Sequence, residues 1–190
     1  MIESEADKVS GEKKVIPYKV QKGNRPEIEE VISACLNGDL HNIAMDFAIW
    51  MRGNNLPFKL YTSNTRSHTA GYGDMAICRT YIQSEDEMKN NHWLKWDGPQ
   101  YFGITIFLRD ISNYKNANIA EGSHKFIWDY LKHCEQCNSK CPCVGGKTLM
   151  IFNNELNSIC RLQCIVVKNP DEAAIQNIKK LIEFEKKTRD

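Results

Sequence analysis

Four cysteines fall within ten residues, 134–143, in an otherwise polar stretch of the chain. The spacing Cys134-x-x-Cys137 lets two thiolates bind one tetrahedral ion, because the backbone between them can turn back on itself. Polar loops do not usually collect thiols, so this stretch predicts a metal site, with structural zinc as the favoured cofactor. Four sulfur ligands leave no position for water, so the ion would stabilise the fold and take no part in catalysis.

Three of the four predicted metal ligands are assigned, and the fourth has two candidates. The assigned ligands are Cys134, Cys137 and Cys141, and the fourth ligand is Cys160 or Cys143. Only a proline separates Cys143 from Cys141, which leaves both thiols little freedom to reach the same ion. Cys160 is therefore slightly favoured.

A β-hairpin provides the argument for Cys160. Asn153 and Asn154 are typical of a two-residue turn between two strands. With this turn, the residue numbers of any two residues that face each other across the hairpin add up to 307. Lys147 then faces Cys160, which returns that thiol to the end of the cysteine stretch. Cys164 would lie on the same strand face roughly 14 Å farther along, so it is predicted to belong to the core.

Two other interpretations of the cysteines stay open. Cys134 and Cys137 could form a reversible redox pair, although their predicted place at the C-terminal end of a helix disfavours a thiolate. An iron–sulfur cluster is the other, since sulfur ligands alone do not separate iron from zinc. The absence of any export signal argues against stable disulfides, because the cytosol is reducing.

Periodicity predicts an α+β fold with a mainly antiparallel sheet, helices packed on one face, and a Cys-rich metal-binding loop. We expect residues 1–22 to form a flexible N-terminal arm, and residues 23–190 to form a single domain with a zinc-clipped loop at 133–146. The predicted helices begin after Pro26, at Asp39, after a Ser123 cap, and at Asn169-Pro170. Apolar residues at helical spacing predict one buried face on the first helix, with Ile28, Val31, Ile32 and Cys35, and one on the last helix, with Ala174, Ile178, Leu181 and Ile182.

The strand predictions follow runs of apolar and β-branched residues. The predicted strands are 58–61, 75–82, 92–96, 101–109, 147–152 and 157–167, with 75–109 forming an antiparallel meander. The polar segment from Thr62 to Gly73 is predicted to be a long loop. The histidines are predicted to lie at the surface.

The formal charge of +1, from 25 basic and 24 acidic residues, gives no electrostatic reason to expect a nucleic acid or a membrane as partner. The acidic first residues do not resemble a secretory signal, so we expect a cytoplasmic protein. No phosphate-binding, dinucleotide-binding or nucleophile motif is present, which favours a non-enzyme.

These observations predict a zinc-containing binding or regulatory domain with an unknown small molecule or protein as partner. Aromatic residues around Trp93 to Phe102 offer an alternative, a pocket for a small molecule or a peptide.

Overall fold

The computed structural model describes residues 27–60, 67–84, 100–108, 114, 121–131, 147–151, 154–159 and 164–189. The helices in these ranges are α1 (Ile28–Cys35), α2 (Gly38–Gly53), α3 (Glu121–Tyr130) and α4 (Glu172–Lys187). The strands are β1 (Lys59–Leu60), β2 (Ser67–Tyr72), β3 (Met75–Gln83), β4 (Tyr101–Phe107), β5 (Lys147–Ile151), β6 (Asn154–Ile159) and β7 (Cys164–Lys168). None of the helices in the described ranges has both the length and the apolar character needed to cross a lipid bilayer.

Five strands form one antiparallel sheet in the order β1-β2-β3-β4-β7, and β5 pairs with β6 in a separate two-stranded hairpin. The predicted α+β class and mainly antiparallel sheet are therefore confirmed. β3 is the middle strand, and β4 between β3 and β7 carries the most apolar sequence of the sheet.

The apolar stripes of the helices form a single core with one face of the sheet. In α1 the predicted stripe is buried: Ile28, Val31, Ile32 and Cys35. In α4 the predicted stripe is also buried, and Ile175 and Glu185 join it: Ala174, Ile175, Ile178, Leu181, Ile182 and Glu185. A repeat near 3.6 residues puts these side chains on one side of each helix, so their burial follows directly from the sequence.

Helices α2 and α4 run parallel to each other. Asp39 and Glu172, in their first turns, line the same groove. At the other end, Lys186 Nζ donates a hydrogen bond of 2.9 Å to the Asn54 carbonyl, just beyond α2. A lysine suits this place because the C-terminal end of a helix carries partial negative charge.

The prediction of a loop from Thr62 to Gly73 is wrong from Ser67 to Tyr72, which form strand β2. Its sequence is polar, yet Ser67, His68 and Ala70 are buried between β1 and β3. Pairing on both sides satisfies the backbone, so a polar segment can form an inner strand. His68, at 2% exposure, is consequently not the surface residue that was predicted.

A bulge marks the junction of β2 and β3. Ala70 pairs with Cys78, but Gly71 pairs with Ala76, so Ile77 is an extra residue on β3. Both Ile77 and Cys78 are buried in the core as a result. Beyond the bulge the hairpin turns through Gly73, whose φ of +59° is a conformation that glycine adopts without strain.

The predicted strand 157–167 is wrong as a single element. Its first part belongs to β6 in the hairpin, whereas its last part belongs to β7, which pairs with β4 in the main sheet. One continuous apolar and polar run thus contributes to two sheets. Hydrophobic patterning alone does not show where a chain leaves one sheet for another.

The hairpin register also differs from the prediction. Ile151 pairs with Asn154, so Asn154 belongs to β6 and not to the predicted two-residue turn. Pairs near the turn sum to 305, and a shift between Lys147 and Leu149 brings Lys147 opposite Ile159. The prediction gave a sum of 307, so it is wrong by two residues near the turn. At Lys147 the shift reduces the difference to one residue: the partner is Ile159, whereas Cys160 was predicted.

Two predicted helix starts need correction. Helix α3 begins at Glu121, so Ser123 lies inside it, and its hydroxyl donates a 3.0 Å hydrogen bond to Asn177 Oδ1 of α4. Helix α4 is capped by Asp171, whose carboxylate accepts a 2.7 Å hydrogen bond from the Ala174 backbone N–H. Asn169 instead holds β7 to β4, accepting from the Phe102 N–H at 2.7 Å.

Several predictions concern residues outside the described ranges. They are the flexible arm 1–22, the strand 92–96 and the zinc-clipped loop 133–146. These stay predictions.

Candidate binding face of the sheet

Side chains of the five-stranded sheet alternate between two faces with different chemistry. The first, called the core face, packs with all four helices and includes Phe102, Ile104 and Ile106 of β4 and Ile165 and Val167 of β7. The second is called the polar face. Its residues are Lys59, Ser67, Thr69, Arg79, Tyr81, Gln83, Tyr101, Gly103, Thr105, Phe107, Cys164, Val166 and Lys168.

The register aligns polar-face residues in rows across the strands. One row comprises Lys59, Thr69, Arg79, Thr105 and Val166. The next row, two residues along, comprises Ser67, Tyr81, Gly103 and Lys168. Directly paired residues bring their side chains to about 5 Å from one another. Within these rows Thr69, Arg79, Tyr81 and Val166 are half-buried, whereas Ser67, Gly103 and Thr105 are buried.

Arg79 lies in the middle of this face, on the middle strand, and its side chain is held on three sides. Nε donates to Thr69 Oγ1 at 3.3 Å and Nη1 donates to Tyr81 Oη at 3.4 Å. The guanidinium carbon lies 5.2 Å from the centre of the Phe107 ring. All four residues are half-buried. The charge is therefore fixed in place yet reachable from solvent, because hydrogen bonds and a cation–π contact restrict the side chain.

Tyr101 explains why residue 103 is a glycine. A Cβ placed on Gly103 would lie 2.6 to 2.9 Å from the hydroxyl oxygen and ring carbons of Tyr101. The ring therefore occupies the space above Gly103, in the row that contains Tyr81. Burial, and secondarily the charge that Tyr81 would carry when ionised, raises the pKa of Tyr101 above its usual 10.0.

Gln83, paired with Tyr101 across β3 and β4, adds a buried polar group to the same face. It is 7% exposed, and its Oε1 accepts no hydrogen bond from any group in the described ranges. A buried amide oxygen is a costly group to leave unsatisfied, so it is a natural place for a donor to bind.

The charges on the five strands have one sign. Their sequences contain Lys59, Arg79 and Lys168, and these five described strands contain neither Asp nor Glu. All three basic residues lie on the polar face. Although the whole chain is nearly neutral, the five described strands therefore contribute only positive formal charge to this face.

A concave region of the described structure lies between α2 and α4. It is a groove of about 180 Å³ lined by Asp39, Asn42, Ile43, Asp46, Glu172, Ile175, Gln176 and Lys179. Three carboxylates face one ammonium, so the groove is acidic. Among the described residues, however, no three His, Cys, Asp or Glu side chains come together to hold a metal ion.

A buried network ties the C-terminus to the sheet. Glu185 Oε1 accepts a hydrogen bond from the Tyr114 hydroxyl at 2.5 Å, and Glu185 Oε2 pairs with Arg189 Nη2 at 3.1 Å. Arg189 also donates to the carbonyls of Ala76 at 3.1 Å and Phe107 at 2.8 Å. Burial, followed by the Glu185 charge, raises the pKa of Tyr114, so its hydroxyl stays protonated. The network has a structural role.

The predicted metal ligands are not among the described residues. Cys134, Cys137, Cys141, Cys143 and Cys160 all lie outside these ranges, so the zinc site stays a prediction. Two other cysteine predictions are testable. Cys35 is buried as predicted, but Cys164 is half-buried on the polar face, opposite Phe107, and not part of the core.

Only the last two residues of the predicted aromatic pocket lie within the described ranges. Trp93 and Trp96 lie outside the described ranges, whereas Tyr101 and Phe102 are both buried, on opposite faces of β4. Residue-by-residue interpretation missed Arg79 and Tyr81. Both residues alternate with Cys78, Thr80 and Ile82 along one strand. This period of two could have shown that Arg79 and Tyr81 lie on the face opposite the core.

Comparisons of the chain with protein-family models, with curated proteins and with solved structures give no significant match. What the polar face does is therefore inferred from its own geometry and chemistry.

Proposed function

We propose that this chain is a binding domain that recognises a small molecule on the polar face of its sheet. The observation that carries the proposal is the contrast within β3. Cys78 and Ile82 are buried in the core, while Arg79 and Tyr81 between them stay half-exposed and hydrogen-bonded to each other. Small-molecule sites combine aromatic side chains with a few positioned polar or charged groups, and Arg79 and Tyr81 are such groups.

Amide NMR spectra recorded during a fragment screen test this proposal. Binding should shift the amide signals of alternate residues on β2, β3 and β4, with Thr69, Arg79 and Tyr81 among the most affected. A Thr69→Val variant should weaken binding, because it removes the hydroxyl that orients Arg79. Lys180→Gln, on the exposed side of α4, is the matched control. Shifts confined to the acidic groove between α2 and α4 would contradict the proposal.

A structural zinc ion is the second part of the proposal, held by Cys134, Cys137, Cys141 and either Cys160 or Cys143. The hairpin register supports this ligand set. Lys147 pairs with Ile159. In sequence, Cys160 is the next residue after Ile159, and the cysteine stretch ends four residues before Lys147, so we expect both segments to lie near the same end of the hairpin.

Elemental analysis of the freshly purified protein should find one zinc per chain. Cys137→Ser should lose the metal and lower the melting temperature, whereas Cys35→Ser, at a buried site, should keep the metal even though it is also destabilising. Thiol titration separates the redox alternative. Zinc masks the thiols until a chelator is added, but a Cys134–Cys137 dithiol reacts without one. A metal-free protein with full thiol reactivity would refute zinc binding.

A further inference from the structure

Three carboxylates line the groove between α2 and α4: Asp39 and Asp46 on α2, and Glu172 on α4. All three residues are exposed, and within the described ranges none of their carboxylates forms an ion pair. Lys179 is the basic residue among those that line the groove, and its ammonium lies 5.5 Å from the centre of the Trp50 ring. The groove therefore has a surplus of negative charge, which favours a positively charged occupant.

The chain itself contains a segment of the opposite charge. Residues 13–25, here called the basic segment, precede α1 and include five basic residues and no acidic residue. The segment also carries apolar residues at alternate positions, Ile16, Tyr18 and Val20, which lie on one side of a chain that is extended. We propose that the basic segment docks across α2 and into the acidic groove between α2 and α4.

The place where the described chain begins suits this path. Arg52, in the last turn of α2, lies 2.6 Å from Glu29 Oε1 and 3.8 Å from Glu27 Oε2 through its Nη2 atom. These two glutamates stand at the start of α1, so α1 begins beside the C-terminal end of α2. The basic segment joins the fold at this point, because it directly precedes α1 in sequence.

An exposed apolar side chain lies between this point and the groove. Ile49 is 56% exposed, more than any other large hydrophobic residue in the described ranges. It lies three residues after Asp46 and three before Arg52, and residues three apart are neighbours on the surface of a helix. A segment that runs from α1 to the groove would therefore pass over Ile49, and its apolar side chains would cover it.

The basic segment is long enough for this path. At about 1.5 Å per residue of helix, Asp46 lies about 9 Å and Asp39 about 20 Å from Arg52 along the axis of α2. An extended chain spans about 3.3 Å per residue, so about seven residues cover the longer distance. Residues 13–22 can thus reach both carboxylates. This proposal departs from the expectation that the whole arm 1–22 is flexible, since it holds residues 13–22 in place.

Nitrogen-15 relaxation of the whole chain tests the inference. At low salt the backbone order parameters of residues 15–20 should exceed about 0.7, whereas those of residues 1–10 should stay below about 0.6, the range of a flexible backbone. Salt at about 1 M should lower the values for residues 15–20, because it screens exposed charges. Order parameters below about 0.6 for residues 15–20 at low salt would overturn the inference.

Asp46→Lys tests whether the groove holds the segment. Asp46 is exposed and lysine is a good helix former, so the variant should fold. Trypsin should cut after Lys14, Lys19 and Lys22 about two- to tenfold faster than in the wild type, since each exposed ion pair is weak. Glu155→Lys, exposed on the separate β5–β6 hairpin, is the charge-matched control and should be cut at the wild-type rate. Equal rates in all three proteins would contradict docking.

Charge reversal on both sides separates attraction between charges from other causes of order. The double variant Lys14→Glu with Lys19→Glu should lower the order parameters of residues 15–20, because its carboxylates are repelled by the groove. Addition of Asp46→Lys to this double variant should raise them again. If residues 15–20 stay ordered in the double variant, charge complementarity does not hold the segment and the inference is wrong.

Sedimentation of the wild type shows which chain supplies the segment. A monomer in which residues 15–20 are ordered supports docking within one chain. Order that appears only with a dimer would assign the groove to the basic segment of a second copy and overturn the intrachain path. The groove lies between helices and not on the polar face, so this inference does not rest on the proposed small-molecule site, and either can fail while the other stands.

Discussion

The two faces of the five-stranded sheet come from the same strands but carry different chemistry. On the core face, Phe102, Ile104 and Ile106 of β4 are fully buried against the helices. On the polar face, Arg79 and Tyr81 of β3 are half-exposed and joined by a hydrogen bond. The comparison indicates that the core face stabilises the fold, whereas recognition by the half-exposed residues of the polar face is our proposal.

The largest expected effect is the loss of a core-face ring. Phe102→Ala should lower the free energy of unfolding by about 3–5 kcal/mol, because the removed ring leaves a cavity that the core only partly fills. Urea unfolding measures it. Thr69→Ala on the polar face is the comparison, with an expected cost below about 1 kcal/mol. Equal costs for the two variants would remove the distinction between the faces.

The next largest expected loss of stability concerns the buried network of Tyr114, Glu185 and Arg189. Glu185→Ala should cost about 3–5 kcal/mol, because it leaves the Arg189 guanidinium buried without its charged partner. The double variant Glu185→Leu with Arg189→Leu should cost clearly less than the single variant, since it leaves no buried charge. Thermal unfolding of the two proteins decides it, and a double variant that is the less stable would contradict this account.

Gly103 tests how tightly the polar face is packed. Gly103→Ala should cost about 1–3 kcal/mol, because its methyl group overlaps the Tyr101 ring. In a Tyr101→Ala background the same change should cost less, and a double-mutant cycle by urea unfolding measures the difference. If the cost is equal in both backgrounds, Tyr101 is not the group that excludes a side chain at position 103.

The helical half of the fold could be predicted from the sequence, because a 3.6-residue repeat is strong and local. The buried stripes of α1 and α4, and the burial of Cys35, follow from this repeat. The sheet was harder. The polar strand β2 is stabilised by pairing on both sides, and the run 157–167 divides between two sheets, and neither fact is encoded locally.

The polar face was missed for a similar reason. Lys59, Arg79 and Lys168 lie far apart in sequence, and only the strand register brings them to one surface. The cysteine stretch shows the opposite case. Its thiols are close in sequence, so a metal site could be proposed from spacing alone, and elemental analysis is its test.

One variant tests the division between the two faces most directly, when its stability and its affinity are measured on the same preparation. Arg79→Gln should keep the free energy of unfolding within about 1 kcal/mol of the wild type, because it removes one half-exposed cation–π contact and weak hydrogen bonds. The same protein should bind the fragments that bind the polar face of the wild type about tenfold or more weakly. A variant that loses several kcal/mol of stability yet binds those fragments as the wild type does would show that the polar face serves the fold and not recognition.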